Sequence, residues 1–325
     1  MGVLKGAHAT MRKSHSSRCA RRVGVFLQTI GLAAGLAALG TGPIETAHGQ
    51  TVANPMRPIP IPTQVPAKDG VAQIPDTRLW YWDTGGQGVP IVLLHPATGS
   101  ALIWGYQQPV FAKAGYRVIA YSRRGYYNSA PFDPNNPGIG CEDLRHLADV
   151  LGLKRFHVLA SAAGGSIASD FAFSYQDRLL SLTISSNSFG VREGEIAKVA
   201  ASIRPKGFDQ LPPEFREIGP SYRAANPEGV KAWIELEHKA LIGPRVSQTL
   251  KNQITQAKLK DLKLPTLLIA GAADLYTPPS ISRMIAAEIP NSRVALIPEA
   301  GHSIYWEQPE IFNRAVLDFI GGQSK

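Results

Sequence analysis

The stretch Arg155–Gly165, RFHVLASAAGG, has the residue types of a strand that ends in a catalytic turn. Phe156 to Leu159 is apolar, and the tiny residues that follow end in Gly164-Gly165. A sharp strand-to-helix turn of this kind exposes a nucleophile at the top of a parallel sheet, and its crowded backbone admits only small neighbours. In the pattern Gly-x-Ser-x-Gly-Gly the paired glycines set the frame. They put Ala160 two residues before the nucleophile position and Ala162 on it. An alanine cannot attack a carbonyl. A frame shifted by one would make Ser161 the nucleophile, but Leu159 would then occupy a site that demands a small residue, and strand alternation would turn Ser161 away from the cleft. Ser166 lies a turn into the following helix. Cys141, which opens the pattern CEDLRHLADVLGL, reads as a packing residue rather than a nucleophile.

The elements needed to position such a turn are legible from Arg78 onward. RLWYWDTG and VPIVLLHP read as two strands around GGQG, taken as a hairpin. YRVIAYSRRG is a third strand, preceded by a helix near Gln107 to Ala114. Leu144, Leu147, Val150 and Leu151 have the spacing of an amphipathic helix. RFHVLA, LLSLTISS, LPTLLIAGAAD and SRVALIPEAGH read as further strands, with GGSIASDFAFSY and ISRMIAAEI as helices and a closing helix from Pro309 to Ile320. Alternation of this kind implies an α/β fold, a mostly parallel sheet with helices on both faces. Residues 189–250 break the rhythm with short helical patterns and proline-bearing loops, which suggests an inserted helical cap over the carboxyl ends of the strands.

In this order the motifs resemble those of the α/β-hydrolase fold superfamily, in its cap-bearing single-domain group, over about residues 78–320. DTGGQGVPIVLLHPATGS is similar to the first strands and the oxyanion loop, and YSRRGYYNSA to the loop after the next strand. LASAAGGSIA resembles the nucleophile elbow, LLIAGAADLYTPP the strand end that supplies the acid, and EAGHSIYWEQPE the histidine loop. The resemblance implies roles by position. His302, beside Gly301 after a strand, would be the general base, since histidine titrates near neutrality. Asp274 would hold the other imidazole nitrogen. Backbone N–H groups of Ala97 and Ala163 would form the oxyanion hole, with Pro96 where the family has glycine. His95 would be structural. Candidate lining residues are Trp104, Phe189, Trp233 and Tyr305, an aromatic set that suits an apolar or aromatic small molecule. Trp306 reads as core. Arg123 and Arg124 would reach an anionic group or brace loops.

Three functions fit an incomplete triad of Ala162, Asp274 and His302. One is an enzyme that uses the His302–Asp274 base and the oxyanion hole without a serine ester, of hydrolase, lyase or cofactor-free oxygenase type. Another is a catalytically silent ligand-binding pseudo-hydrolase. The third is an ordinary serine esterase, using Ser161 or carrying an engineered Ser→Ala change at 162. In a protease with the same triad logic, loss of the serine alone lowers turnover about 10⁶-fold, so ordinary ester hydrolysis is expected to be lost here.

The ends of the chain read differently from the middle. Residues 1–49 read as an export signal peptide: a basic region ending at Arg21-Arg22, the apolar run Val23 to Leu39, and small residues before Gln50. The apolar run is shorter than the ~20 residues of a comfortable membrane span, so no stable span is expected in the mature chain. The arginine pair is a loose match to twin-arginine export, giving a periplasmic or secreted protein. Residues 50–75 carry six prolines and read as a tether, followed by core segments 76–188 and 251–325 on either side of the cap. The net charge of +9 is concentrated at the front, and residues 50–325 hold 28 basic against 24 acidic residues. No basic stripe interleaves with aromatics, so nucleic acid is not an expected partner. No residues have metal-ligand spacing and no glycine-rich turn opens a nucleotide site, so neither a metal nor a cofactor is expected.

Overall fold

A computed structural model describes residues 57–244 and 247–323. The proposed signal peptide lies outside the described residues, as does the first part of the tether. An eight-stranded sheet runs in the order β1-β2-β4-β3-β5-β6-β7-β8. Its strands are β1 (Lys68–Ile74), β2 (Thr77–Asp83), β3 (Pro90–Leu94), β4 (Arg117–Tyr121), β5 (Phe156–Ser161), β6 (Leu179–Ser185), β7 (Thr266–Gly271) and β8 (Ser292–Ile297). The pairs β1–β2 and β2–β4 are antiparallel and all others parallel. Every residue of β5 and β7 is buried, as expected of central strands covered on both faces.

Among the described residues the α-helices are α1 (Gln108–Lys113), α2 (Gly140–Val150), α3 (Ala163–Ser174), α4 (Gly194–Ser202), α5 (Pro213–Glu217), α6 (Pro220–Ala225), α7 (Pro227–His238), α8 (Pro279–Glu288), α9 (Ile304–Glu307) and α10 (Pro309–Gly321). Strand alternation divides the core in two. Val92 and Leu94 of β3 join one cluster with Leu144, Phe171 and Ile285 of α2, α3 and α8. Ile91 and Leu93 join the other with Phe111, Phe312 and Val316 of α1 and α10. The helices α4 to α7 are inserted between β6 and β7, where the cap was expected. The insertion is rooted in both clusters, through Ile196 of α4 in the first and Trp233 of α7 in the second. Among the described residues no helix is long and apolar enough to cross a membrane.

Two sequence expectations fail here. The GGQG segment is not a hairpin, because β4 lies between β2 and β3 in the sheet. The hairpin is one step earlier, where Ile74 pairs with Thr77 around Pro75-Asp76 and Asp76 takes the left-handed conformation such short turns need. The second failure follows from the first: Lys68–Ile74, read as tether, is strand β1. Prolines at 66 and 75 mask it, and only Ala72 and Ile74 of its side chains are buried. The proline-rich segment before it is not free either. Val65 N donates to Gln108 Oε1 at 3.0 Å and Gln108 Nε2 to Val65 O at 2.9 Å. Gln64 Nε2 donates to Gly105 O at 2.8 Å and Tyr106 Oη to Ile59 O at 2.6 Å. An extended, proline-stiffened chain leaves its carbonyls unpaired; Tyr106 and Gln108 of the core satisfy those of Ile59 and Val65, while Gln64 of the segment reaches a core carbonyl in return.

Candidate active site

At the end of β5 the chain turns at Ala162, with φ +47° and ψ −119°, and α3 begins at the next residue. A non-glycine residue here is strained, and only the surrounding structure holds it. Ala162 N donates to Ser185 O at 2.9 Å on the neighbouring strand, and Gly165 N returns to Ala162 O at 2.8 Å. The two glycines are required by contact. A Cβ on Gly164 would lie 2.6 Å from Leu94 O and 2.8 Å from His95 O, and one on Gly165 would lie 2.7 Å from Asn187 Cβ. These contacts fix the frame with alanine at the turn. Ser161 is the last residue of β5, wholly buried, with no hydrogen-bond partner for its hydroxyl among the described residues. Ser166, in the first turn of α3, accepts from Asn187 Nδ2 at 3.1 Å.

Ala97 and Ala163 are both half-buried, and neither N–H donates to an acceptor among the described residues. The loop of Ala97 is braced from beneath. His95 is fully buried, with Nδ1 2.7 Å from Pro96 O and Nε2 accepting from Arg123 N at 3.1 Å. Burial, aided by the Arg123 charge, lowers its pKa well below the usual histidine value, so it stays neutral. Arg123 Nη2 also donates to Pro96 O at 3.0 Å, and Tyr126 Oη donates to Ala97 O at 3.3 Å. Arg124 forms a two-point ion pair with Asp143, each contact 2.8 Å. Both arginines therefore brace loops, and neither is free to meet an anionic ligand.

Asp274 follows β7 and His302 follows β8, so both stand at the same carboxyl edge of the sheet as Ala162. His302 Nδ1 is 2.9 Å from each carboxylate oxygen of Asp274. Asp274 Oδ1 also accepts from Tyr276 N at 2.8 Å and Thr277 N at 2.9 Å. Burial opposes ionisation of Asp274, but the His302 charge and these hydrogen bonds prevail and lower its pKa. For His302 burial alone would lower the pKa. The negative charges of Asp274 and Glu217 outweigh it and push the pKa up to about 9. Because Nδ1 faces Asp274, Nε2 is the nitrogen that exchanges protons with a ligand. It has no partner among the described residues.

Sequence reasoning missed the groups around the imidazole. Tyr276 lies against it with ring centroids 4.5 Å apart, and its hydroxyl accepts from Arg216 Nη1 at 2.9 Å. Glu217, from the cap, accepts His302 N at 2.8 Å and Ser303 N at 2.9 Å on its carbonyl oxygen. Tyr276 stands two residues past Asp274 in ADLYTPP and was within reach of the motif; nothing local points to Glu217. The predicted lining fails as a set. Trp104, Trp233 and Tyr305 are buried in one core cluster and Phe189 in the other. Trp104 packs on Tyr305 at 5.1 Å, a core contact. Their large apolar surfaces fill the fold and do not form one wall. Cys141 is buried in α2, and burial raises its thiol to about 12, consistent with packing.

The arrangement can move a proton at His302 Nε2 and offers N–H donors to a developing oxyanion, but it presents no hydroxyl at the turn. The sequence profile of the alpha/beta hydrolase family matches residues 91–315. The protein named carbamate hydrolase RutD in Caulobacter sp. (strain K31) is 27% identical over 249 residues, covering 72% of this chain and 91% of that protein. A 2-hydroxy-6-oxononadienedioate/2-hydroxy-6-oxononatrienedioate hydrolase of Paraburkholderia phymatum is 25% identical over 277 residues, 76% of this chain and 92% of that one. The solved structure of a thermophilic esterase from Thermogutta terrifontis superposes with a TM-score of 0.65 at 23% identity, covering 80% of this chain and all of that one.

Proposed function

Because the chain belongs to the alpha/beta hydrolase family, we propose that it is a hydrolase-like enzyme in which His302, paired with Asp274, acts as general base on a small organic substrate without a serine ester. The observation that carries this reading is the Asp274–His302 pair, kept in full beside an elbow whose nucleophile position holds Ala162. In the reaction, His302 Nε2 takes a proton from a water molecule as the water oxygen bonds to the substrate carbonyl carbon. The carbonyl electron pair moves to its oxygen, which Ala97 and Ala163 N–H groups stabilise. Collapse of that intermediate expels the leaving group, which takes the proton from His302. The aromatic character once expected of the substrate has lost its support, since the four aromatic candidates are core residues. The basic and apolar pattern of residues 1–49 supports export of the chain.

A second reading, a ligand-binding protein without turnover, is favoured by the raised pKa of His302, which leaves the imidazole protonated at neutral pH. The deciding experiment compares the full-length chain with Ala162→Ser and Ala162→Ser/His302→Ala on a panel of short-chain esters. The expected result is a gain of esterase activity of 10²-fold or more in Ala162→Ser that the double variant loses, the scale of a general base's contribution. A folded Ala162→Ser protein without any gain would mean that the base or the oxyanion hole is not functional, and the binding reading would replace this one.

A further inference from the structure

Glu307 ends α9 and is 2% exposed, yet no cation pairs with it among the described residues. Its Oε2 accepts from Gly301 N and from Gly219 N, each at 2.9 Å. Gly301 precedes His302, and Gly219 separates α5 from α6 in the cap. Two residues before Gly219, the carbonyl oxygen of Glu217 takes the N–H groups of His302 and Ser303. The segments 217–219 and 301–303 are thus bound together at four N–H groups. Their backbones approach so closely that a Cβ on Gly219 would lie 2.8 Å from Gly301 N. A buried carboxyl group is costly unless its oxygens are engaged, and Glu307 Oε1 has no hydrogen-bond partner among the described residues. Burial, only partly offset by the Gly301 and Gly219 N–H groups, pushes its pKa up to about 8.

We propose that Glu307 is a positioning residue for His302: it ties the loop that carries the imidazole to the α5–α6 junction of the cap, so that His302 keeps its place against Asp274 only while that junction is seated. His302's service as a base rests on the function proposed above; the clamp does not. The titratable groups in electrostatic reach of Glu307 are Asp274, His302, Tyr222 of α6 and Tyr305 of α9, with Glu217 of α5 beside them at the imidazole. All but His302 are acids. Above about pH 8 the Glu307 carboxylate joins Asp274 and Glu217 in holding the imidazole proton.

The test follows the His302 imidazole and the backbone amides by nuclear magnetic resonance across pH, in the full-length chain and in Glu307→Gln and Glu307→Ala. The decisive amide is that of His302, which bonds to Glu217 and not to Glu307. In Glu307→Ala this amide is expected to exchange roughly tenfold faster or more relative to β5, because a buried acceptor has been removed from the clamp. The His302 midpoint falls as well. Glu307→Gln keeps an oxygen for both glycine N–H groups but no charge, so protection stays within a few-fold while the midpoint still falls. It decides alone if Glu307→Ala does not fold. An unchanged His302 midpoint in Glu307→Gln overturns the proposal, as does unchanged protection of the His302 amide in a folded Glu307→Ala. Neither readout needs a substrate, so a folded Ala162→Ser variant without esterase gain refutes the enzymatic reading and leaves the clamp standing.

Discussion

An imidazole held against a buried carboxylate is a better base but, for the same reason, a cation at rest. His302 illustrates both effects, since Asp274 and Glu217 raise its pKa to about 9 against the opposing effect of burial. A base must be neutral before it can take a proton. The esterase activity installed by Ala162→Ser is therefore expected to rise roughly tenfold per pH unit below about 9 and to level above it. Initial rates on a single ester between pH 6 and pH 10 measure this. A plateau reached already near pH 7 would contradict the raised pKa. The sequence gives the residue types at this site, and the tiny residues before Gly164-Gly165 already imply the turn at Ala162. The raised pKa was not legible, because Glu217 reaches His302 from 85 positions away through packing alone.

At the scale of elements, the elbow is the junction of β5 and α3 pressed against the end of β3. Gly164 is where that pressure is felt, as its Cβ position lies on the backbone carbonyls of Leu94 and His95. Backbone cannot rotate away as a side chain can. Gly164→Ala is expected to cost about 1–3 kcal/mol in chemical denaturation and to displace the Ala97 loop. In the Ala162→Ser background it should also lower esterase activity. Gly85→Ala is the control: Gly85 has φ +67° but nothing within 4 Å of its Cβ position, so only about 1 kcal/mol of backbone strain is expected. Equal losses for the two would show that contact at the elbow is not the cause. Amphipathic spacing located α2, and apolar runs located β5 and β7, because both signals are local. Strand β1 escaped notice because flanking prolines resemble a tether and its partner β2 supplies most of its order.

At the scale of the whole molecule, two buried groups among the described residues have pKa values raised to between about 8 and about 9, within reach of ordinary pH. The His302 pKa is raised to about 9 and that of Glu307 to about 8. The stability His302 contributes is complete below its ordinary pKa near 6.5 and is lost as pH rises through about 9. For Glu307 burial favours the neutral acid, so stability falls from the ordinary glutamate range up to about 8. The two effects share a sign between pH 6.5 and 8. Thermal midpoints are expected to drop steadily from pH 6.5 to pH 9, and His302→Gln should flatten that slope. A midpoint that rises or stays level over this range in the parent protein would show that other groups outweigh these two. Asp274, with its lowered pKa, acts at the other end: its contribution is present at neutral pH and lost in acid.

The sequence by itself determined the α/β alternation, the inserted cap, the glycine-framed turn with alanine at its apex, and the order in which the acid and histidine follow. Each of these is written in local spacing or in residue size. Only the tertiary structure decided that β4 separates β2 from β3, that the proline-rich segment is docked, and that the four aromatic candidates belong to two separate cores. It alone brought Glu217, Tyr276 and Glu307 to the histidine loop. Strand pairing and the company of a buried charge depend on contacts between residues far apart in the chain, and a pattern of neighbours carries no record of them.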